Sequence, residues 1–292
     1  MLTKIRMLIE ALNNNGIRYC HWKSNLALAE SLSGQTDVDL LIHRKDAQRF
    51  RAILSQLCFQ PTTINGLEPF PSVEHHFALD EESGLLIHVH AYFRAITGES
   101  LTKNYRFPIE EMLLSNTRNV DSVPVPTKSA ELVVFTLRMM LKHTAVTELI
   151  LLARYWDEVQ HEIKWLLESA SIDETLRFVN CWLPSVDTNL FAECIEAIKS
   201  PAPLYRRVML GRRLRAQLHL YTRHAALRAR LGGIKKFTTM FVHRLTRSKK
   251  GMVHGGGGAV IAFVGSEATG KSTLLANMKS WLGEHFVVDQ IH

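Results

Sequence analysis

The sequence predicts three consecutive parts: an α+β N-terminal domain, an α-helical middle region and the start of an α/β unit at the C-terminus. Three observations carry this. Short alternating or apolar runs separated by turn residues fill the first 125 positions; from Pro126 the texture becomes helix after helix; and a glycine run at 255–258 leads into the apolar run AVIAFVG. The 292 residues suffice for two modest domains at roughly 100–200 residues each.

Taken in order, MLTKIRMLIEALNNNG places Leu2, Ile5, Leu8, Ile9 and Leu12 on one helical face. An acid within its apolar stretch and the lack of a small-residue cleavage site separate it from a signal peptide. IRYCHW (17–22) reads as a short strand. SNLALAESLSG (24–34) reads as a helix with a Ser/Asn N-cap and a terminating Gly34. TDVDLLI (36–42) alternates and then turns continuously apolar, as a strand entering a core does. RKDAQRFRAILSQLC (44–58) has helical periodicity through Phe50, Ile53, Leu54 and Leu57. HHFALDEESGLLIHVHAYF (75–93) reads as two strands around an acidic turn with Gly84. The expected units are therefore 1–125, a helical 126–250 whose first helix is capped by Thr127, a flexible glycine tether at 251–258, and 259–292.

The net charge of +7 is unevenly placed. Between Leu204 and Lys250 lie 14 Lys or Arg and no Asp or Glu, so the rest of the chain is acidic. A solvated linker docking on acidic domains or a phosphate-rich partner would each account for this. Leu227, Leu231, Ile234, Phe237, Phe241 and Leu245 form an apolar stripe beside the arginines, which makes 204–250 a candidate for an anionic membrane surface. Sparse aromatic residues there argue against nucleic acid. No run approaches the ~20 apolar residues of a membrane span. Four scattered cysteines without a CxxC pair fit buried thiols of a reducing cytoplasm, with attachment at the periphery of the inner membrane as the variant that the basic segment suggests.

The sharpest motif is Gly265-Ser266-Glu267-Ala268-Thr269-Gly270-Lys271-Ser272-Thr273, which fits G-x-x-x-x-G-K-[ST] at every fixed position. The glycines let successive N–H groups curl inward as a nest, and the following helix aims its positive end at the same point. Lys271 would reach the β- and γ-phosphates of ATP or GTP, and the Ser272 hydroxyl would ligate Mg²⁺. Val260–Val264 before it and Leu274, Leu275, Met278, Trp281 and Leu282 after it supply the strand and helix the motif requires. Residues 259–292 resemble the start of the thymidylate-kinase-like branch of P-loop kinases, with FVVDQ (286–290) as the second strand. The resemblance implies a phosphotransferase with an acceptor that the chain does not specify. It also implies roughly 150 further residues carrying an acidic metal-positioning strand and an arginine lid, neither of which can be placed in this sequence.

A second pattern lies near the N-terminus. Asp37-Val38-Asp39 puts two carboxylates on one face of a strand, where they can converge on one ion. Ser24 lies 13 residues upstream. With its order of helix, strand, helix, acidic strand, helix and hairpin, residues 1–125 resemble nucleotidyltransferases of the DNA-polymerase-beta type. The resemblance makes Asp37 and Asp39 the catalytic and metal candidates and Ser24 a phosphate ligand. Two departures stand out: Lys23 takes the place of the family's glycine, and His88 and His90 stand where a third carboxylate belongs. The histidines either complete a site for a softer metal or mark a lost catalytic acid. The whole layout is similar to bacterial proteins that join a transferase-like head to a thymidylate-kinase-like tail, which implies an association with surface-polysaccharide synthesis. The competing readings are an ATP-dependent enzyme, a non-catalytic nucleotide-binding module, and a membrane-surface adaptor.

Overall fold

The computed structural model describes residues 1–65, 70–98, 103–142, 156–200, 204–224, 251–266 and 269–290. Its centre is a six-stranded sheet. The strands are β1 (Tyr19–His21), β2 (Val38–Ile42), β3 (Gln60–Ile64), β4 (Val73–Asp80) and β5 (Leu85–Tyr92), joined by β10 (Met252–His254), in spatial order β1-β2-β5-β4-β3-β10. Only β2 and β5 run parallel, with Asp39 in register with His90. The chain reverses direct from β4 to β5 through Gly84 at φ +71°, a conformation that favours glycine. Two small ribbons, β6 (Ala95–Thr97) with β7 (Tyr105–Phe107) and β8 (Thr117–Val120) with β9 (Val123–Pro126), flank the sheet.

Side-chain alternation assigns the two faces of the sheet to two cores. Val38, Leu40 and Ile42 of β2 and Ile87, Val89 and Ala91 of β5 pack with α1 (Thr3–Asn14) and α3 (Ala47–Gln56), which follows the short α2 (Leu28–Leu32). The predicted stripe of α1 is what is buried: Ile5, Leu8, Ile9 and Leu12 are each at most 2% exposed, and each such side chain is worth about 1.5–3 kcal/mol relative to exposure. The residues between them in β2 and β5 point the other way. There Leu41 and Tyr92 join Cys20, Trp22 and the helical region. After α4 (Glu110–Ser115) that region comprises α5 (Lys128–Lys142), α6 (Trp156–Leu167), α7 (Ile172–Trp182), α8 (Thr188–Lys199) and α9 (Leu204–Gln217). Thr127 Oγ1 accepts the Ala130 N–H at the start of α5, as expected of a cap.

Several expectations are corrected. Cys20 and Cys194 are buried but Cys58 and Cys181 are exposed, and all four are free thiols. The glycine tether is not wholly flexible chain: Met252–His254 pair antiparallel with Ile64–Thr62 as the sheet's outermost strand. Residues 259–264 form no strand, and Val260 and Val264 are 93% and 94% exposed. FVVDQ forms no strand either; Phe286 makes a single parallel bridge to Met252 and packs on Phe77 of β4. A parallel strand needs a ladder to join and cover on both faces, and the described residues supply neither to 259–264. The last helix, α10 (Lys271–Gly283), forms as expected but buries no residue. The C-terminal α/β unit expected from the sequence is therefore present only as a loop and a helix, held to the sheet's edge by β10 and Phe286.

Most of the basic segment lies outside the described residues, including the whole apolar stripe from Leu227 to Leu245. No helix among the described residues is long and apolar enough to cross a membrane.

Candidate functional site

Asp39 and His90, opposite one another on β2 and β5, face the helical region together with Asp37, His88 and Tyr92. The residues are paired two by two. His88 Nδ1 is 2.7 Å from Asp37 Oδ1, and His90 Nδ1 is 3.2 Å from Asp39 Oδ1. His75 of β4, in register with His90, adds a third ring: it stacks on His90 at 4.3 Å, and its Nδ1 lies 3.0 Å from His88 Nε2.

Lys23 closes this arrangement from the turn after β1. Its ammonium lies 3.0 Å from Asp39 Oδ1 and donates to the Tyr92 hydroxyl at 2.8 Å, 4.4 Å above that ring. Burial by itself would raise the Asp39 carboxyl. The Lys23 ammonium and the His90 hydrogen bond outweigh it and hold Asp39 well below the usual carboxylate range. Burial pushes His75 down to about 3 and His90 down to about 4, so both rings are neutral near pH 7.

Ser24 is not the helix cap the sequence suggests. It sits at φ +57°, ψ +39°, the left-handed region, and its side chain caps nothing. A non-glycine residue there is strained by about 1–2 kcal/mol, and its surroundings show what holds it. Arg138 of α5 donates to Ser24 Oγ at 3.2 Å, and the next N–H, of Asn25, donates to Glu131 Oε1 at 2.9 Å. Arg138 and Glu131 are seven residues apart, two turns along one face of α5. Glu131 is 1% exposed, and burial raises its carboxyl to about 7. Burial also raises Glu162 of α6. Lys103 reaches the same place, 3.5 Å from the Tyr92 hydroxyl.

The sequence-derived head residues Ser24, Asp37, Asp39, His88 and His90 thus lie around one face of the sheet. Sequence reasoning missed His75, Tyr92, Glu131, Glu162 and Arg138. Only the spacing of Glu131 and Arg138 gave a signal, and the helix's buried stripe masks it. Lys103 and its neighbour Asn104, which the sequence leaves open between a turn and a loop contacting substrate, divide in role: Asn104 clamps the chain after α9 through both side-chain atoms on His224, while Lys103 turns to the Tyr92 hydroxyl.

The donor set is a poor fit for Mg²⁺, which takes about six oxygens in near-octahedral array. Asp39 Oδ1 already lies within 3.2 Å of an ammonium and an imidazole, Asp37 faces another imidazole, and the residue opposite Asp39 is His90, not an acid. Among the described residues no group of three or more His, Cys, Asp or Glu is arranged to hold a metal ion.

At the second motif, Gly270 caps α10 at φ +79°, a conformation that favours glycine, and Lys271, Ser272 and Thr273 form the helix's first turn. Their N–H groups are those a helix leaves without internal acceptors. Lys271 Nζ folds onto the Ser266 carbonyl and lies 3.4 Å from Thr269 Oγ1, so in this structure the ammonium bonds the loop's own oxygens. Gly265 and Ser266 are described; Glu267 and Ala268 lie outside the described residues. The Ser272 hydroxyl and the free first-turn N–H groups are of the type that suits Mg²⁺ and phosphate.

Comparison with known proteins adds little. No family model and no curated protein matches the chain. Two solved structures are similar: JHP933 from Helicobacter pylori, at TM-score 0.31 and 10% identity over 74% of this chain and 93% of that one, and a candidate nucleotidyltransferase from H. pylori, at TM-score 0.30 and 10% identity over 76% and 96%. Similarity at that level carries no argument about function.

Proposed function

We propose that the N-terminal region is a nucleotidyltransferase-like head that binds a nucleotide on the sheet face bearing Ser24, Asp37 and Asp39, without transferring it. The observation that carries this reading is the exchange at one register position: Asp39 is opposite His90, where a transferase would place its third carboxylate. The Asp pair, the strained Ser24 turn and the order of elements support the binding fold, while the missing acid and the lysine at position 23 argue against turnover.

The C-terminal segment is a second, separate phosphate-binding element for ATP or GTP, and Lys271 and Ser272 are its triphosphate and Mg²⁺ contacts. Its support is the motif together with the Gly270 cap and the helix that follows. The kinase-like reading of this segment rests on the motif and leaves the acceptor unspecified.

The two elements predict two nucleotides per chain. Titration calorimetry with ATP should give a stoichiometry near two for the full chain. It should give near one for Lys271→Ala and near one for Arg138→Gln, which removes the cation on Ser24. If Lys271→Ala removes all binding, the head reading fails; if Arg138→Gln does so, the tail reading fails. Steady nucleotidyl transfer by the Lys271→Ala protein would contradict the non-catalytic assignment.

A further inference from the structure

A histidine ring nitrogen is made a donor or an acceptor by the bond that the other ring nitrogen makes. We infer that Asp37, His88 and His75 form a one-way hydrogen-bonded relay that fixes His75 Nε2 as an acceptor. Resting on the nucleotide-binding reading above, this nitrogen recognises an O–H or N–H donor on the nucleoside part of the ligand.

The direction of the relay follows from what each atom can do. A carboxylate only accepts, so the 2.7 Å contact between Asp37 Oδ1 and His88 Nδ1 places a hydrogen on that nitrogen. A neutral imidazole has a single N–H, so His88 Nε2 is then a bare lone pair. It lies 3.0 Å from His75 Nδ1, which must be the donor. The one hydrogen of His75 is used there, and its Nε2 can only accept. This direction holds for neutral rings, the form an ordinary imidazole takes above about pH 6.5.

Packing holds the rings in line. Two nitrogens of His75 and His88 are 3.0 Å apart while the ring centroids are 5.2 Å apart, with 20° between the planes. The rings therefore meet edge to edge, where an N–H can point along a lone pair. Phe77, opposite His88 in the ladder, stacks on that ring at 4.3 Å, and His90, opposite His75, stacks on His75 at 4.3 Å. Each relay ring thus has a face covered by its cross-strand neighbour, which opposes rotation out of line.

The outer end of the relay is open. His75 is only partly buried. Among the described residues no hydrogen bond engages its Nε2, nor is that atom one of the buried polar atoms without a partner, so water reaches it. An acceptor fixed on packed strands is already ordered for a ligand. The donors that a nucleoside offers it are the ribose hydroxyls and the amino group of the base.

The test uses the full chain carrying Lys271→Ala, which takes the tail's lysine out of the measurement. Its histidines are labelled with heavy nitrogen and studied at about pH 8, above the ordinary imidazole range, in buffer free of transition metals. Nitrogen NMR separates a ring nitrogen that bears hydrogen from one that does not, and His75→Phe and His88→Phe identify the two rings by the signals they remove. Both rings should bear hydrogen on Nδ1 and none on Nε2. Asp37→Ala should shift hydrogen onto Nε2 of His75, a ring that Asp37 does not hydrogen-bond. Calorimetry then compares ATP with ITP, which lacks the amino group, and with a dideoxy-ATP, which lacks both ribose hydroxyls. At least one analogue should bind about three- to tenfold more weakly than ATP, the effect of one neutral hydrogen bond, and which one does so identifies the donor. His75→Phe should bind ATP and that analogue equally. Hydrogen on Nε2 of either ring, a His75 signal unmoved by Asp37→Ala, equal binding of all three nucleotides, or a gap that survives His75→Phe would each overturn the inference while leaving the nucleotide reading in place. No ATP binding at all would overturn both.

Discussion

The run VDLLI in β2 and the run VIAFV at 260–264 look alike in sequence, yet one is a central strand and the other forms no strand. Leu40 and Leu41 are fully buried, whereas Val260 and Val264 are more than 90% exposed. The helices beside them repeat the contrast: α1 buries four apolar residues and α10 buries none. An apolar run becomes a strand only where β1 and β5 offer ladders and two layers of helix offer cover, so a strand is a property of its surroundings. The head has those surroundings, and the C-terminal segment borrows only an edge.

The largest effect that would break this comparison is on stability. Phe50→Ala, in the core beneath β2, should cost about 3–5 kcal/mol, whereas Val264→Ala should fall within about 0.5 kcal/mol of wild type. Urea denaturation of the two variants measures both; equal effects would mean that 260–264 is packed after all.

Next comes the ion pair at the site. Lys23→Met leaves the Asp39 carboxylate without its ammonium partner and should destabilise by roughly 3 kcal/mol, at the low end for a buried pair because both groups keep some access to water and His90 stays beside the carboxylate. Adding Asp39→Asn should recover most of that loss. A double variant as unstable as the single one would show that Lys23 acts by packing alone.

The pH dependence sharpens the comparison further, through shifted groups of the sheet, His75 and His90, and one of α5, Glu131. The folded protein keeps His75 and His90 neutral down to about 3 and about 4, while the unfolded chain protonates them below about 6.5. Their contribution is complete above about 6.5 and is lost as the pH falls from there toward 3–4. Glu131 acts in the opposite sense. Its folded value near 7 lies above the unfolded value of about 4.3, so its contribution is complete below that value and is lost as the pH rises to about 7. Glu131→Gln should therefore steepen the rise of stability between about pH 4.3 and 6.5. An unchanged slope in the urea midpoint would contradict the assignment.

The smallest effect concerns the tail's attachment. Val253→Pro cannot maintain β10 as an ordinary strand, and should speed amide exchange at Met252 and Val287, whose N–H groups bond His285 and Met252 carbonyls. Global stability should change by less than about 1 kcal/mol, since this segment opens locally.

What the sequence disclosed follows the range of the forces involved. The stripe of α1, the Gly84 hairpin and the facing pair Asp37 and Asp39 were legible because period and spacing are local. The Ser24 cap was misread because its backbone is set by Glu131 and Arg138, more than 100 residues away in the chain. His75 gave no signal, since only the fold brings it to His88. Strand β10 was hidden by the glycines beside it, which suggest a flexible tether although Met252, Val253 and His254 have an open edge to join. The expected strand at 260–264 failed for the complementary reason: its apolar residues are suited to a ladder that the described residues do not provide.

The central claim is that nucleotide binds at the head's turn as well as at the C-terminal loop. Hydrogen–deuterium exchange of the full chain with and without saturating ATP tests it most directly. The account predicts slower exchange across residues 22–27 and, separately, across 269–274. Protection confined to 269–274, with 22–27 exchanging at the same rate in both samples, would contradict it.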